Sequence, residues 1–308
     1  MQAGGFVNKT LFGGIEAGGT KFCCAVGDGD GRIIDETVIP TAHPDVTIPE
    51  VIEYFRGIHE KTTLSAIGIA SFGPVDLNRD SEFYGYTTTP PKPGWQMFDF
   101  AGALKKSFKL PVGFDTDVNG AALGEFRWGA ARGLDTFVYI TVGTGIGGGG
   151  MAAGNIMHGL VHPEMGHIFI PHDRSRDPFD GICPYHGDCL EGLASGPSIQ
   201  KRWGVERASD LPAGHPGWAL EADYLAYAFA CYSLMISPQR IIAGGGVMKT
   251  QGLIEMIRLR VGKLLNNYIR HGMILDEMDK YIVPPGLGDR SGVCGALALA
   301  EQAYMKSR

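Results

Sequence analysis

The chain lacks any long apolar run. Nothing in its 308 residues approaches the length of a membrane-spanning helix. It has no excess of positive charge either: 27 Lys and Arg stand against 33 Asp and Glu, a net charge of -6. That balance argues against a nucleic-acid partner or an anionic membrane surface. Cysteine is scarce, six in all, too few at this length for a disulfide framework. The stretch from Met1 to Thr10 lacks the basic-then-apolar order of a signal peptide and reads as a short polar extension. These absences together predict a cytoplasmic protein. Charged residues make up only 19% against 44% hydrophobic, so a sizeable core is expected and disorder is not. The length suits two domains of ordinary size.

What is abundant is glycine. There are 46, more than twice the usual ~7%, and they fall in discrete clusters beside apolar, β-type runs. Leu11 to Ala17 predicts a strand, Gly18-Gly19-Thr20 a turn, Phe22 to Val26 a second strand and Arg32 to Ile39 a third. This is a meander with glycine at both corners. Thr47-Ile48-Pro49-Glu50 has the form of a capping box and predicts a helix from there to His59. Leu64 to Ala70 predicts a buried parallel strand. The stretch from Ser71 to Trp95 is rich in Pro, Gly, Thr and Tyr, and a loop of that length inside a domain is usually functional. A helix at Phe98 to Phe108, a strand at Val112 to Asp115 and a helix at Val118 to Ala131 follow.

The opening pattern then recurs. Thr136 to Val142 predicts a strand, Gly143-Thr144-Gly145 a turn, and Ile146 to Ala153 a second strand. The recurrence suggests a duplication, two domains built on one plan, with the first half ending near Asn119. After an irregular stretch from Gly154 to Gly196 come a long helix at Trp218 to Ile236, a short strand at Arg240 to Ala243 and a strand at Tyr281 to Val283. A last helix runs from Gly292 to about Tyr304.

Three glycine clusters are candidate phosphate or nucleotide contacts. In Gly18-Gly19-Thr20-Lys21 the corner glycines are expected at positive φ, opening main-chain N–H groups to a phosphate. Thr20 adds a hydroxyl and Lys21 a compact charge. Gly143-Thr144-Gly145-Ile146-Gly147 is a second such corner. It is no Walker loop, because no Gly-Lys-Ser/Thr follows, and no dinucleotide fingerprint, because a strand follows rather than a helix. Either corner alone is also an ordinary hairpin turn; one in each half is harder to assign to chance. Gly244-Gly245-Gly246 lies between a strand and an expected helix N-terminus, suited to an anion or a flat ring pressed on the backbone. Close strand–helix packing would need the same glycines.

Asp115-Thr116-Asp117-Val118-Asn119 follows a strand and opens a helix. Asp117 is expected at the N-cap, where the helix dipole keeps a carboxylate ionised, as a general base must be. Strand alternation turns Asp115 away from the face that Thr116 occupies. Further on, Cys183, His186 and Cys189 recur at three-residue steps in a loop with Pro and Gly. They supply three of the four S/N ligands of a tetrahedral zinc. The fourth is expected from His167, with His162 and His172 behind it. No nucleophile or base stands beside them, which favours a structural site. The other four cysteines sit among apolar or small residues and read as buried small hydrophobes.

Together these residues resemble the ROK family of sugar kinases, within the actin-like ATPase superfamily, from about Leu11 to the C-terminal helix. The resemblance implies an α/β, two-domain actin-like (ribonuclease H-like) fold with an interdomain cleft and a zinc-binding loop. It implies a small domain of 11–119 with the C-terminal helix 296–308, and a large domain of 120–295. The two glycine hairpins match the family's phosphate loops, and Gly244 to Val247 its adenosine-side glycines. Asp117-Val118-Asn119 matches the segment whose aspartate is the catalytic base. Glu164 and His167 match a Glu-x-Gly-His segment that binds sugar and, through the histidine, zinc. Glu191 matches a further sugar-binding glutamate. Gly73, Pro74 and Thr116 fall on the sugar side.

Two departures bear on the substrate. The residue before the base is commonly Asn in glucose-type members, and here it is Thr116. The zinc loop commonly reads Cys-x-Cys-Gly-x-x-Gly-Cys, and here it is Cys183-x-x-His186-x-x-Cys189. These, with Glu16 where many members carry aspartate and with Ser71-Phe72-Gly73-Pro74-Val75, resemble the bacterial fructokinase branch. The resemblance thus implies an ATP-dependent fructose kinase using Mg·ATP and a structural Zn²⁺; it leaves the oligomeric state open, with a homodimer as the form it suggests. A glucose or mannose kinase and a non-catalytic sugar sensor are the alternatives. The repressors of the family carry an N-terminal helix-turn-helix, for which the stretch before Leu11 leaves no room.

Overall fold

The computed structural model describes residues 10–308, so the extension read at Met1 to Thr10 lies outside it up to residue 9. The chain divides into two compact units. The first takes the described residues to Gly129, with His158–His162 and Arg290–Arg308; the second takes Ala130–Met157 and Pro163–Asp289.

Unit 1 opens with β1 (Leu11–Ala17), β2 (Lys21–Asp28) and β3 (Ile33–Pro40), paired antiparallel as the meander requires. Then come α1 (Pro44–His59), β4 (Leu64–Ser71), the two-residue strands β5 (Tyr86–Thr87) and β6 (Phe98–Asp99), α2 (Phe100–Phe108), β7 (Val112–Thr116) and α3 (Asp117–Trp128). The sheet order is β3-β2-β1-β4-β7, with β4 parallel to β1 and β7 parallel to β4. Helix α1 starts three residues before Thr47. Pro44 sits in its first turn, and His43 caps it by accepting from the Asp45 amide, since proline presets the helical φ and has no N–H to lose. Thr47 instead bonds back to the incoming chain, accepting from Ala42 N at 2.8 Å and donating to Pro40 O at 3.3 Å.

The long loop after β4 is anchored at its far end. Trp95 is fully buried, with its ring 5.3 to 5.7 Å from those of Phe22, Phe72, Phe98 and Phe100. Its indole N–H donates to Ala42 O at 2.8 Å, so this large aromatic is buried with its polar atom satisfied. A C-terminal helix (Ser291–Lys306) packs on α3, β1 and β4. The approach is backbone on backbone: a Cβ on Gly68 would lie 1.8 Å from Ala296 O, and one on Gly295 1.7 Å from Gly120 O. This packing moves the expected division. Because α3 is one unbroken helix under the C-terminal helix, unit 1 runs to Gly129 rather than Asn119 and takes that helix from its first residue.

Unit 2 contains β8 (Phe137–Val142), β9 (Ile146–Ala152), β10 (Asn155–Ile156), α4 (Leu190–Ala194), α5 (Gly196–Trp203), α6 (Gly217–Ile236), β11 (Ile241–Gly244), α7 (Leu253–Leu265), α8 (Gly272–Leu275), α9 (Met278–Tyr281) and β12 (Ile282–Val283). Its sheet order is β10-β9-β8-β11-β12: an antiparallel meander, then two parallel strands. The two sheets therefore share one plan. Helix α6 buries Trp218, Leu225 and Phe229 in the core of this unit, together with Ile257 and Val261 of α7. No helix among the described residues is long and apolar enough to cross a membrane.

Candidate functional site

The candidate residues fall into two sets, one in each unit. In unit 1 the β1–β2 corner is held by its own backbone and by two side chains. Gly18 N donates to Lys21 O at 3.0 Å, Thr41 Oγ1 donates to Gly18 O at 2.7 Å, and Lys92 Nζ to Gly19 O at 2.8 Å. Thr20 and Lys21 are exposed. The expected positive φ is not adopted at Gly18, Gly19, Gly143 or Gly145. What the corner gains from glycine is access: nothing lies within 4 Å of the place a Cβ on Gly19 would occupy.

At the β7–α3 junction the structure moves the cap by one residue. Thr116, not Asp117, is the N-cap: its Oγ1 accepts from Asn119 N at 3.1 Å. Asp117 is the first helical residue, half-buried, with Oδ1 accepting from Val118 N at 2.9 Å. The helix N-terminus still favours its ionised form, and the cap role no longer occupies it. Asp115 is buried and fully engaged. Its Oδ1 accepts from Thr116 N and Asn119 Nδ2, both at 2.8 Å, and its Oδ2 lies 2.9 Å from His158 Nε2. The bond to Asp115 raises the His158 pKa above the ordinary histidine value. Beside this junction in the sheet, where Ser71 at the end of β4 pairs with Thr116, the chain runs on to the Gly73–Pro74 pair, joined by a cis peptide. Pro74 O accepts from Thr88 N at 2.8 Å and from its hydroxyl at 3.1 Å.

In unit 2 the β8–β9 corner mirrors the first. Gly143 N donates to Gly145 O, and Gly196 N to Gly143 O, both at 2.8 Å, while Thr144 is exposed. Gly147 lies within β9, opposite Thr141. The third glycine cluster differs from expectation. Gly244 ends β11, but Gly246 leads into a single 3₁₀ turn (Val247–Lys249), and α7 starts only at Leu253. The α-helix N-terminus expected there is several residues further on. Gly245 does take positive φ, +94°, and a Cβ on it would lie 2.3 Å from Val142 O.

Glu164 precedes a 3₁₀ turn, Met165–His167. The turn is fixed by Tyr232, whose buried hydroxyl donates to Met165 O at 2.7 Å. A Cβ on Gly166 would lie 1.7 Å from Ile146 O, so only glycine lets this turn lie against β9. His167 then meets Cys183, His186 and Cys189, and one ligand atom from each lies within 4.8 Å of all the others. His167 Nδ1 is 3.5 Å from Cys189 Sγ and 3.8 Å from Cys183 Sγ; Cys183 Sγ is 3.6 Å from His186 Nδ1. Without a cation, burial pushes the Cys189 thiol up to about 11, so a metal entering here displaces a proton.

His162 and His172 are engaged elsewhere. His162 Nε2 accepts from Val75 N at 3.2 Å. The His172 ring lies 3.0 Å from Asp188 Oδ2 and 2.9 Å from Asp177 O. His172 therefore braces the Cys183–Cys189 loop from behind. Asp177 is held in turn by the Tyr224 hydroxyl at 2.6 Å and by Arg202 at 3.1 Å. These bracing residues are spread from His172 to Tyr224, and no local spacing in the sequence announces them.

Glu191 joins the loop to the glycine corner. It lies in the first turn of α4, and its Oε2 accepts from Ile146 N at 2.9 Å. The same oxygen stands 2.7 Å from where a Cβ on Gly145 would be, and Oε1 lies 3.9 Å from His167 Nε2. His167 thus presents Nδ1 to the two thiols and Nε2 to a carboxylate. A Cβ at 145 would push that carboxylate off its bond to Ile146 N.

Two α/β units of one sheet plan, each with a glycine corner between its first two strands, define an actin-like ATPase fold. The chain matches the ROK family over residues 12–303, and it belongs to that family. A relative from Bacillus subtilis is 51% identical over 293 residues, 95% of this chain and 96% of its own. The fructokinase of Zymomonas mobilis is 45% identical over 303 residues, 97% of this chain and 99% of its own. Among solved structures, the ROK hexokinase from Thermus thermophilus superposes with a TM-score of 0.78 at 25% identity, over 96% of this chain and all of that one.

Proposed function

We infer that this chain transfers the γ-phosphoryl group of Mg·ATP to a hydroxyl of fructose. The observation that carries the reading is the Glu164, His167 and Glu191 set on the thiol–imidazole loop. It offers two carboxylates and an imidazole to a polyhydroxylated ligand, with Glu191 bonded to the Ile146 amide and the Met165–His167 turn held by the buried Tyr232 hydroxyl. A fructokinase with 45% identity over 97% of the chain supports the sugar.

Asp117 accepts the proton of the attacking hydroxyl, and the helix N-terminus keeps it ionised to do so. Gly18, Gly19, Thr20 and Lys21, with Gly143, Thr144, Gly145 and Gly147, take the phosphates. Gly244, Gly245 and Gly246 lie along the adenosine. Gly73, Pro74, Thr116, Glu164, His167 and Glu191 hold the sugar. With so little bonding between the transferred group and either oxygen, positioning and charge carry the catalysis. Mg²⁺ arrives as part of the nucleotide substrate.

We further propose that His167, Cys183, His186 and Cys189 hold a structural zinc. The donor set is all nitrogen and sulfur. Zn–N bonds of about 2.0–2.1 Å and Zn–S bonds of about 2.3 Å at tetrahedral angles give N···S edges of about 3.6 Å. Three N···S separations in the cluster, 3.5, 3.6 and 3.8 Å, bracket that edge. A cation there would fix the imidazole whose other nitrogen faces Glu191.

The test is a panel of hexoses with Mg·ATP and identification of each product. Fructose should give the highest kcat/KM. A clear preference for glucose, mannose or an N-acetylated sugar would reverse the substrate. No ATP-dependent product from any sugar would leave a sugar sensor.

A further inference from the structure

One short segment packs apart from its neighbours in sequence. Residues 158–162 are flanked on both sides by unit 2, yet they pack as part of unit 1. They are fastened there at both ends. At one end His158 Nε2 lies 2.9 Å from Oδ2 of buried Asp115. At the other, buried His162 accepts the Val75 amide at 3.2 Å, and its ring stands 3.3 Å from where a Cβ on Gly73 would be. Between the anchors Leu160 and Val161 are exposed, Leu160 at 99%. The segment is thus held by its two histidines and not by apolar burial.

Both anchors touch residues one step removed from the proposed sugar site. Asp115 has each carboxylate oxygen committed: Oδ1 to Thr116 N and Asn119 Nδ2, and Oδ2 to His158. Thr116 and Asn119 are the cap and third residue of the first turn of α3, and Asp117 lies between them. His162 fixes Val75, which follows the Gly73–Pro74 pair, whose carbonyl is tied on its other side to Thr88. Two residues after His162 the chain reaches Glu164. A five-residue strap therefore fixes the turn bearing the base and the Gly73–Val75 loop, and covalently leads into the first sugar carboxylate.

We propose that His158 and His162 are positioning residues for the sugar. His158 orders the α3 first turn through Asp115, and His162 orders the Gly73–Val75 loop through its amide. The proposal rests on the kinase reading above. The strap acts on the sugar and its base rather than on the nucleotide, because its two anchoring bonds go to Asp115 and Val75, outside the glycine corners. Losing the bond to Val75 frees the loop, so sugar binding weakens. Losing the bond to Asp115 loosens the turn under Asp117, so turnover falls. Small misplacement of reacting groups costs up to about a hundredfold in rate.

The experiment compares His162→Ala, His162→Gln, His158→Leu and His158→Gln in the full chain. Glutamine keeps an acceptor for Val75 at 162 and a donor for Asp115 at 158. His162→Ala should raise KM for fructose roughly tenfold or more with KM for ATP unchanged. His158→Leu should lower kcat by a similar factor, and each glutamine variant should restore most of the loss. Amide exchange without substrate should speed up at Val75 in His162→Ala and at Thr116 and Asn119 in His158→Leu. Unchanged kinetics with unchanged exchange would overturn the proposal. So would equal changes in the sugar and ATP constants that glutamine fails to rescue, since those mark a general structural role. The exchange arm reads the strap even if the wild type makes no sugar phosphate, so a failure of the kinase reading stays distinguishable.

Discussion

Asp117 and Thr116 divide one task between two adjacent residues. A hydroxyl at 116 closes the helix end, accepting from Asn119 N, and the carboxylate at 117 stays at the positive end of the helix dipole. Asp117→Asn should therefore fold normally and lose about a hundredfold or more in kcat, measured as fructose phosphate formed per second beside an unchanged melting temperature. Wild-type turnover would remove Asp117 from the base role. The sequence pattern located this junction but not the offset. A cap at 116 and a cap at 117 leave the same letters, and only the hydrogen bond separates them. His158 was not legible at all, because its partner Asp115 lies 43 residues away and a single histidine in an irregular stretch has no periodicity to reveal it.

The His158–Asp115 pair also carries a pH signature. The bond to Asp115 raises the histidine's folded-state pKa, while burial and Arg79 oppose it. A histidine raised on folding adds stability that is fully present below its unfolded pKa, about 6.5, and is lost as pH rises through the folded value. The melting temperature of the wild type relative to His158→Gln should thus be highest below about pH 6.5 and should fall as the medium becomes alkaline. A difference that stays constant with pH would show that the ring binds Asp115 only as a neutral donor.

At the scale of elements, the glycine clusters were visible in the sequence while their reasons were not. The corners at Gly18–Gly19 and Gly143–Gly145 were expected to need positive φ and do not adopt it; a Cβ would instead meet Lys21 O at 2.9 Å on Gly18 and the Glu191 carboxylate at 2.7 Å on Gly145. Composition cannot distinguish a glycine required by backbone angle from one required by a neighbour. Gly166 gives the clearest test of the second kind. An alanine there would put a Cβ 1.7 Å from Ile146 O, so the Met165–His167 turn or β9 must shift. Gly166→Ala should cost about 1–3 kcal/mol of stability, read by denaturant unfolding, and should raise the sugar KM because Glu164 and His167 flank the displaced backbone. Neither effect would appear if the turn could slide along β9 without strain. The Cys183–His186–Cys189 cluster was legible because three candidate ligands sit within seven residues. His167 was one of three candidates, and the other two proved to be bonded to Val75 and to Asp188.

At the scale of the molecule, the two sheets repeat one order, meander then two parallel strands. The recurrent strand–glycine–strand pattern had suggested this duplication. The membership of each unit was less legible, because the C-terminal helix and residues 158–162 join unit 1 through packing that no linker composition marks. All four thiol and imidazole groups of the proposed zinc site lie in unit 2, and this makes a whole-molecule prediction. Elemental analysis should find about one zinc per chain. Its removal by a chelator should speed amide exchange across residues 163–192 by releasing both strands of the loop and the turn that Tyr232 holds. The β3-β2-β1-β4-β7 sheet has its own core of Phe22, Phe55, Trp95 and Phe100, so its slow exchange should persist. Local opening at this free-energy level is a property of a contiguous unit, not of the whole chain. Equal loss of protection in both sheets would show that the two units unfold as one, with the cation stabilising the entire molecule. Metal-free protein that keeps full activity and full protection at 163–192 would remove the cation from the structure altogether.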